Sequence, residues 1–185
     1  MKITQRSVLF TLLGLSLAAS AATLLKTDAA KTSVSVVFKQ MNVPVEAKFK
    51  KFYIAIDYNA AAPDASKASV DIDTASLDVG EAEMNQEVAK KEWFNSAQFP
   101  KASFVSSTIK SAGAGKLNVS GKLTIKGKAS DVSFPMSVKS EAGKQVFEGA
   151  LPIKRLAYNI GEGEWKDTSM VADEVTIKFR VTAAP

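Results

Sequence analysis

Leu117-Asn118-Val119-Ser120-Gly121-Lys122-Leu123-Thr124-Ile125-Lys126-Gly127-Lys128, followed by Val132-Ser133-Phe134-Pro135-Met136-Ser137-Val138, decides the fold. Leu117, Val119, Leu123 and Ile125 share one parity, and polar residues occupy the other. After the break at Lys126-Gly127-Lys128, the pattern resumes with Val132, Phe134, Met136 and Val138. A side-chain period of two marks a strand with one buried face. A helix would bring its apolar residues back every three or four positions.

The same period extends outward in both directions. Toward the N-terminus it holds Val34, Val36 and Phe38 within 33–40, then Val45, Ala47 and Phe49, then Phe52, Ile54, Ile56 and Tyr58. The parity changes at Lys50-Lys51, which predicts a bulge or a corner. Ala68, Val70 and Ile72 form the next set, and Val105, Ser107 and Ile109 another. Toward the C-terminus come Phe147, Gly149, Leu151 and Ile153, then Val175, Ile177, Phe179 and Val181. Turn chemistry separates these sets at Ala61-Ala62-Pro63-Asp64, at 111–115 and at Glu141-Ala142-Gly143-Lys144. About eight strands in one unit imply an all-β sandwich or barrel. Gly80 to Phe94 departs from the rule: it is rich in helix formers, Met84 and Val88 lie one turn apart, and acids precede lysines. It reads as one short amphipathic helix over a barrel opening. Short strands and the absence of paired aromatic girdles favour a soluble barrel with an apolar interior over a lipid-facing one.

Residues 1–22 have the order of a secretory signal peptide: Lys2 and Arg6, an apolar run from Ser7 to Leu17, then Ala19-Ser20-Ala21-Ala22. The folded domain is therefore expected over 23–185, in the periplasm of a Gram-negative bacterium. The chain has no Cys and no His. This removes disulfide staples, His-based nucleophile systems and His or Cys metal sites, and no catalytic or metal residue is assigned. The formal charge of +5 falls to about +3 without the signal. Scattered lysines on polar strand faces read as solvated charge, with no nucleic-acid partner. Asp71 with Asp73, and Glu81, Glu83 and Glu87, read as exposed charge too.

Several segments, in this order, resemble the YceI family of lipocalin-like polyisoprenoid-binding proteins. They are 31–41, Val70-Asp71-Ile72-Asp73-Thr74-Ala75-Ser76-Leu77, Glu92 to Phe104 around Phe99-Pro100, Val119 to Gly127, Ile153 to Gly161 and Val171 to Ile177. The resemblance implies an eight-stranded antiparallel barrel whose lumen holds an isoprenoid lipid, either a polyprenyl phosphate or a prenyl-tailed quinone. No other cofactor is implied. A transient inner-membrane partner and a homodimer are left open.

Val34, Val36, Phe38, Ile54, Ile56, Val70, Phe104, Phe134, Met136, Phe147 and Phe179 are the lumen candidates. By pattern alone they could equally fill a solid core; the resemblance favours a cavity. Trp93, Phe94 and Phe99 line its mouth or pack the helix on the barrel end. Family members commonly carry His where this chain has Lys31 and Gln40, and an Arg-Asp pair where it has Glu83-Met84-Asn85. Lys31, Gln40 and Arg155 are therefore the headgroup candidates, with Lys90 and Lys91 as further cations. The expected function is non-catalytic carriage of the lipid. The alternatives are a filled barrel that docks on a quinone-linked membrane complex, and an enzyme using Tyr58, Tyr158, Arg155 or carboxylates.

Overall fold

The computed structural model describes residues 23–185, and the expected signal peptide lies outside the described residues. The strands are β1 (Thr23–Thr27), β2 (Ser33–Gln40), β3 (Val43–Phe49), β4 (Phe52–Tyr58), β5 (Lys67–Asp73), β6 (Leu77–Asp78), β7 (Lys101–Ser111), β8 (Lys116–Ile125), β9 (Lys128–Glu141), β10 (Lys144–Lys154) and β11 (Glu174–Ala184). One helix, α1 (Ala82–Ala89), follows β6.

These segments build eight staves, because three pairs of them are single strands broken by a bend. β1 and β2 both pair with β11, Lys26 opposite Ala184 and Val36 opposite Ile177. β3 and β4 continue one another beside them, Ala47 opposite Val36 and Ile56 opposite Leu25. β5 and β6 pair with β4 and β3, Val70 opposite Ile54 and Leu77 opposite Phe49. From β5 the sheet runs through β7, β8, β9 and β10 to β11, which returns to β1. Every pairing is antiparallel, and the ring closes. Closure removes the exposed sheet edges that invite aggregation.

The parity change at Lys50-Lys51 is a corner shared with the neighbouring stave. Lys50 N donates to Ser76 O at 3.0 Å, Lys51 N to Ser76 Oγ at 3.0 Å, and Asp73 N to Lys51 O at 3.0 Å. The bend in one strand is thus hydrogen-bonded to the 3-10 turn Thr74–Ser76 that bends the next. Three tight hairpins have both central residues at positive φ: Met41-Asn42, Lys126-Gly127 and Ala142-Gly143. That twist matches the right-handed twist of the flanking strands.

Two expectations need correction. Val105, Ser107 and Ile109 do not share a face, because the register shifts between Ser106 and Thr108. Phe104, opposite Leu123, and Ile109, opposite Val119, point inward, whereas Val105 is 56% exposed. The helix is also shorter than Gly80 to Phe94: α1 stops at Ala89 and successive turns carry the chain onward. The strand Thr23–Thr27 lies outside the alternating sets because it directly follows the signal-like segment.

The inward set is packed at the end remote from α1. Ile109, Leu117, Phe147 and Val181 are buried there, and Tyr58 meets Phe147 edge-on at 5.2 Å. Gly121 lies on the same inward face. A Cβ there would sit 2.3 Å from Val105 O and 2.6 Å from the Phe104 ring. Gly121→Ala is therefore expected to destabilise the barrel by about 1–3 kcal/mol in urea unfolding. An unchanged unfolding midpoint would show that the β7–β8 contact is looser than described.

Candidate functional site

The barrel encloses a cavity of about 230 Å³. Val34, Val36 and Phe38 line it from β2, Ile54 and Ile56 from β4, and Val70 from β5. Phe104, Phe134, Met136, Phe147 and Phe179 line it from the long strands, and Trp93 and Phe94 from the turns after α1. Further wall residues lie outside the lumen candidates, although Met84 and Val88 were read as one face of the helix over the opening. Met84 and Val88 reach the cavity from α1, and Trp165 and Val171 from the segment before β11. The last two lie in a stretch without alternation; Val171 opens the segment Val171 to Ile177, and nothing local marked Trp165.

An eight-stranded ring has barely enough interior for its own side chains. Two glycines keep this one open. Gly149 and Gly121 face inward between larger residues. A Cβ on Gly149 would lie 2.4 Å from the tip of the Phe179 ring, as one on Gly121 would crowd Phe104. Each missing side chain leaves a trough where a neighbouring ring lies down along the wall. Phe104, Phe134 and Phe179 form a continuous belt, with centroids 5.5 and 5.7 Å apart.

A cap covers the other end. Its first part is α1, anchored at its start by Asp78. Asp78 Oδ1 accepts from Gly80 N at 3.1 Å and Asn85 Nδ2 at 3.0 Å, and Oδ2 faces Lys50 Nζ at 2.7 Å. These contacts, Lys50 first, hold the Asp78 carboxyl at about 2, below the usual carboxylate range. Asn85 also accepts from Val79 N at 2.7 Å, so it serves the helix start.

The second part is the segment from Arg155 to Asp173, organised by Arg155 itself. All the N–H groups of its guanidinium point at main-chain carbonyls. Nε donates to Ala172 O at 3.1 Å. Nη1 donates to Ile160 O at 2.8 Å and Gly161 O at 3.3 Å, and Nη2 to Trp165 O and Val171 O, both at 2.7 Å. Burial pushes the guanidinium below its ordinary value, and Asp173 opposes the shift. Only glycine fits at 161, where φ is +82° and a Cβ would meet Nη1 at 2.1 Å. Lys126 joins the two parts: its Nζ donates to Lys91 O and Asn159 O at 2.7 Å and to Glu162 Oε2 at 2.9 Å. Glu92 O accepts from both Gly161 N and Glu162 N at 2.8 Å.

The polar candidates separate accordingly. Gln40 is on the cavity wall, near the β2–β3 turn. Lys31 is exposed in the 3-10 turn Ala29–Lys31 and does not reach the cavity. Arg155 borders the cavity, yet its donors are engaged by the cap, so it is a scaffold residue. Lys90 is exposed and pairs with Glu87, which is itself on the cavity wall, and Lys91 is exposed. Phe99 is not on the wall. Its ring lies beneath Gly127, where a Cβ would come within 2.9 Å, and its carbonyl accepts from Thr74 Oγ1 at 2.8 Å. Gln40, Glu87 and Ser103 are partly exposed polar wall residues, and all three lie toward the capped end, which marks the mouth.

A closed antiparallel barrel around an apolar cavity, with a helix across one end, defines a lipocalin-like barrel protein. Residues 25–183 match the YceI-like domain, and the chain belongs to that family. The crystal structure of BcnA from Burkholderia cenocepacia is similar at 52% identity and TM-score 0.84, over 86% of this chain and 100% of that one. A YCEI protein of Campylobacter jejuni shares the fold at 21% identity and TM-score 0.71, over 76% of this chain and 85% of its own. A polyisoprenoid binding domain from Saccharophagus degradans shares it at 18% identity and TM-score 0.67, over 89% and 99%. The UPF0312 protein of Pseudomonas putida is 35% identical over 105 residues, 57% of this chain and 54% of that protein. The chain thus spans about half the length of the curated relatives it matches.

Two outcomes follow from the cap. Arg155→Lys keeps the charge but offers three donors where five were used, so it should cost about 2–4 kcal/mol in urea unfolding. An unchanged midpoint would refute the scaffold role. Asp78 has a lowered folded pKa, so its contribution is complete above 3.8 and is lost as pH falls toward about 2. Hydrogen-exchange protection of α1 should fall in that window, and Asp78→Asn should remove the step.

Proposed function

We propose that the protein is a non-catalytic periplasmic carrier of a long isoprenoid lipid, a polyprenyl phosphate or a prenyl-tailed quinone, with its chain in the barrel. The observation that carries this reading is the cavity of about 230 Å³ walled by aliphatic and aromatic side chains. An apolar cavity of about 150 Å³ stays dry and takes up benzene. A larger one of the same chemistry suits a branched hydrocarbon.

Burial of apolar surface stabilises such a complex by about 25 cal/mol per Å². Several hundred Å² of prenyl chain exceed the several kcal/mol that association and chain ordering cost. The likeness to a polyisoprenoid binding domain supports the same class of ligand. The hollow interior supports this reading over a filled interaction module. Export through residues 1–22 would place the carrier beside the inner membrane, where such lipids reside and where a transient partner could load it.

Native purification, organic extraction and mass spectrometry test the proposal. A prenyl-tailed molecule in stoichiometric amount is expected. Met136→Trp and Val36→Trp should each expel it while circular dichroism stays that of the barrel. Unchanged lipid occupancy in both variants would sink the assignment.

A further inference from the structure

Trp93 is on the cavity wall, and its Nε1–H is sealed from solvent without a hydrogen-bond partner among the described residues. An unpaired buried donor is costly, because it has given up water and gained nothing in return. The ring is held from two sides. The Arg155 guanidinium carbon lies 5.8 Å from its centroid, and the Trp165 ring lies 5.2 Å away at 53°.

The charged groups nearby are committed elsewhere. Arg155 spends its donors on five carbonyls, and Lys126 spends its ammonium on Lys91 O, Asn159 O and Glu162. The acid on the wall, Glu87, holds the exposed Lys90 in an ion pair, so that cation is committed too. A phosphate entering here would lose its hydration without gaining a cation, a large penalty. A carbonyl oxygen needs only one neutral donor.

Resting on the carrier reading above, we propose that Trp93 Nε1–H anchors an uncharged carbonyl oxygen at the polar end of the chain. The cavity then takes a prenyl ketone or quinone in preference to a prenyl phosphate. Trp165 sits on the 3-10 turn Gly163–Lys166, which has no buried residue. Reaching the sealed N–H requires the Trp165 ring, 5.2 Å from that of Trp93, to turn aside.

The test uses delipidated protein and three probes: farnesylacetone, the same chain lacking the carbonyl oxygen, and farnesyl phosphate. The ketone should bind about tenfold tighter than the hydrocarbon, the equivalent of one net hydrogen bond. The phosphate should bind at least tenfold more weakly than the ketone. Trp93→Phe should bring the ketone to the level of the hydrocarbon and leave the hydrocarbon within twofold. The chain has two tryptophans, so ¹⁵N-labelled protein shows two indole N–H signals, assigned with Trp165→Phe. Farnesylacetone should move the Trp93 signal downfield and the hydrocarbon should not, a readout independent of how the Phe variant folds. Equal affinity for ketone and hydrocarbon, tightest binding of the phosphate, or an unmoved Trp93 signal overturns the anchor while the carrier reading stands. Failure of all three probes to bind overturns both.

Discussion

Alternation forces every second side chain of each strand toward the axis, and a ring of eight strands can hold only about that much material. The interior of this barrel therefore stands close to the boundary between a filled core and a tunnel. Large residues such as Phe104, Phe134 and Phe179 would fill it if they pointed at the axis. They do not, because Gly121 and Gly149 leave backbone exposed on the inner wall and the rings of Phe104 and Phe179 lie against it. Dispersion contacts that would otherwise cross the lumen are made sideways, ring to ring, around the wall. The volume that remains is a consequence of two absent side chains.

A hollow barrel loses part of the packing that steadies an ordinary core, so its open end has to be held by other means. The cap is held by hydrogen bonds. Arg155 gathers carbonyls from Ile160, Gly161, Trp165, Val171 and Ala172, drawing an irregular segment into one cluster around a single cation. Irregular backbone near a core needs such partners, since its polar groups have no ladder to satisfy them. Lys126 performs the same service between this segment and the turns after α1. It stands at positive φ in a tight hairpin, so its backbone shapes the turn while its side chain crosses to the cap.

The strands were legible in the sequence because period two is a local signal that survives tertiary context. The sets around Val34, Ile54, Val119 and Phe179 therefore landed inward. The bulge at Ser106–Thr108 was not legible, because an inserted residue changes parity without changing composition. The cavity itself was not legible either. Phe and Val read alike whether they fill a core or line a tunnel, and the deciding residues, Gly121 and Gly149, look like weak points in a strand. Arg155 was read as a possible headgroup contact, and in the structure its N–H groups point at five main-chain carbonyls. A lone cation among apolar residues suggests a ligand, but only coordinates reveal that five carbonyls already occupy it. The placement of Trp165 and Val171 on the wall was not legible because it depends on that same cluster.

These features bear on what the mouth can discriminate. Chain burial is nearly blind to the head of a lipid, since each methylene contributes about the same amount wherever it lies. Discrimination has to come from polar groups near the cap, where desolvation makes a missing partner expensive. There the committed donors matter as much as the uncommitted one. Cations fully bound to main-chain oxygens hold the cap in shape but offer a phosphate nothing. A scaffold that spends its charge on architecture, down to the Lys90–Glu87 pair at the mouth, thereby favours neutral heads.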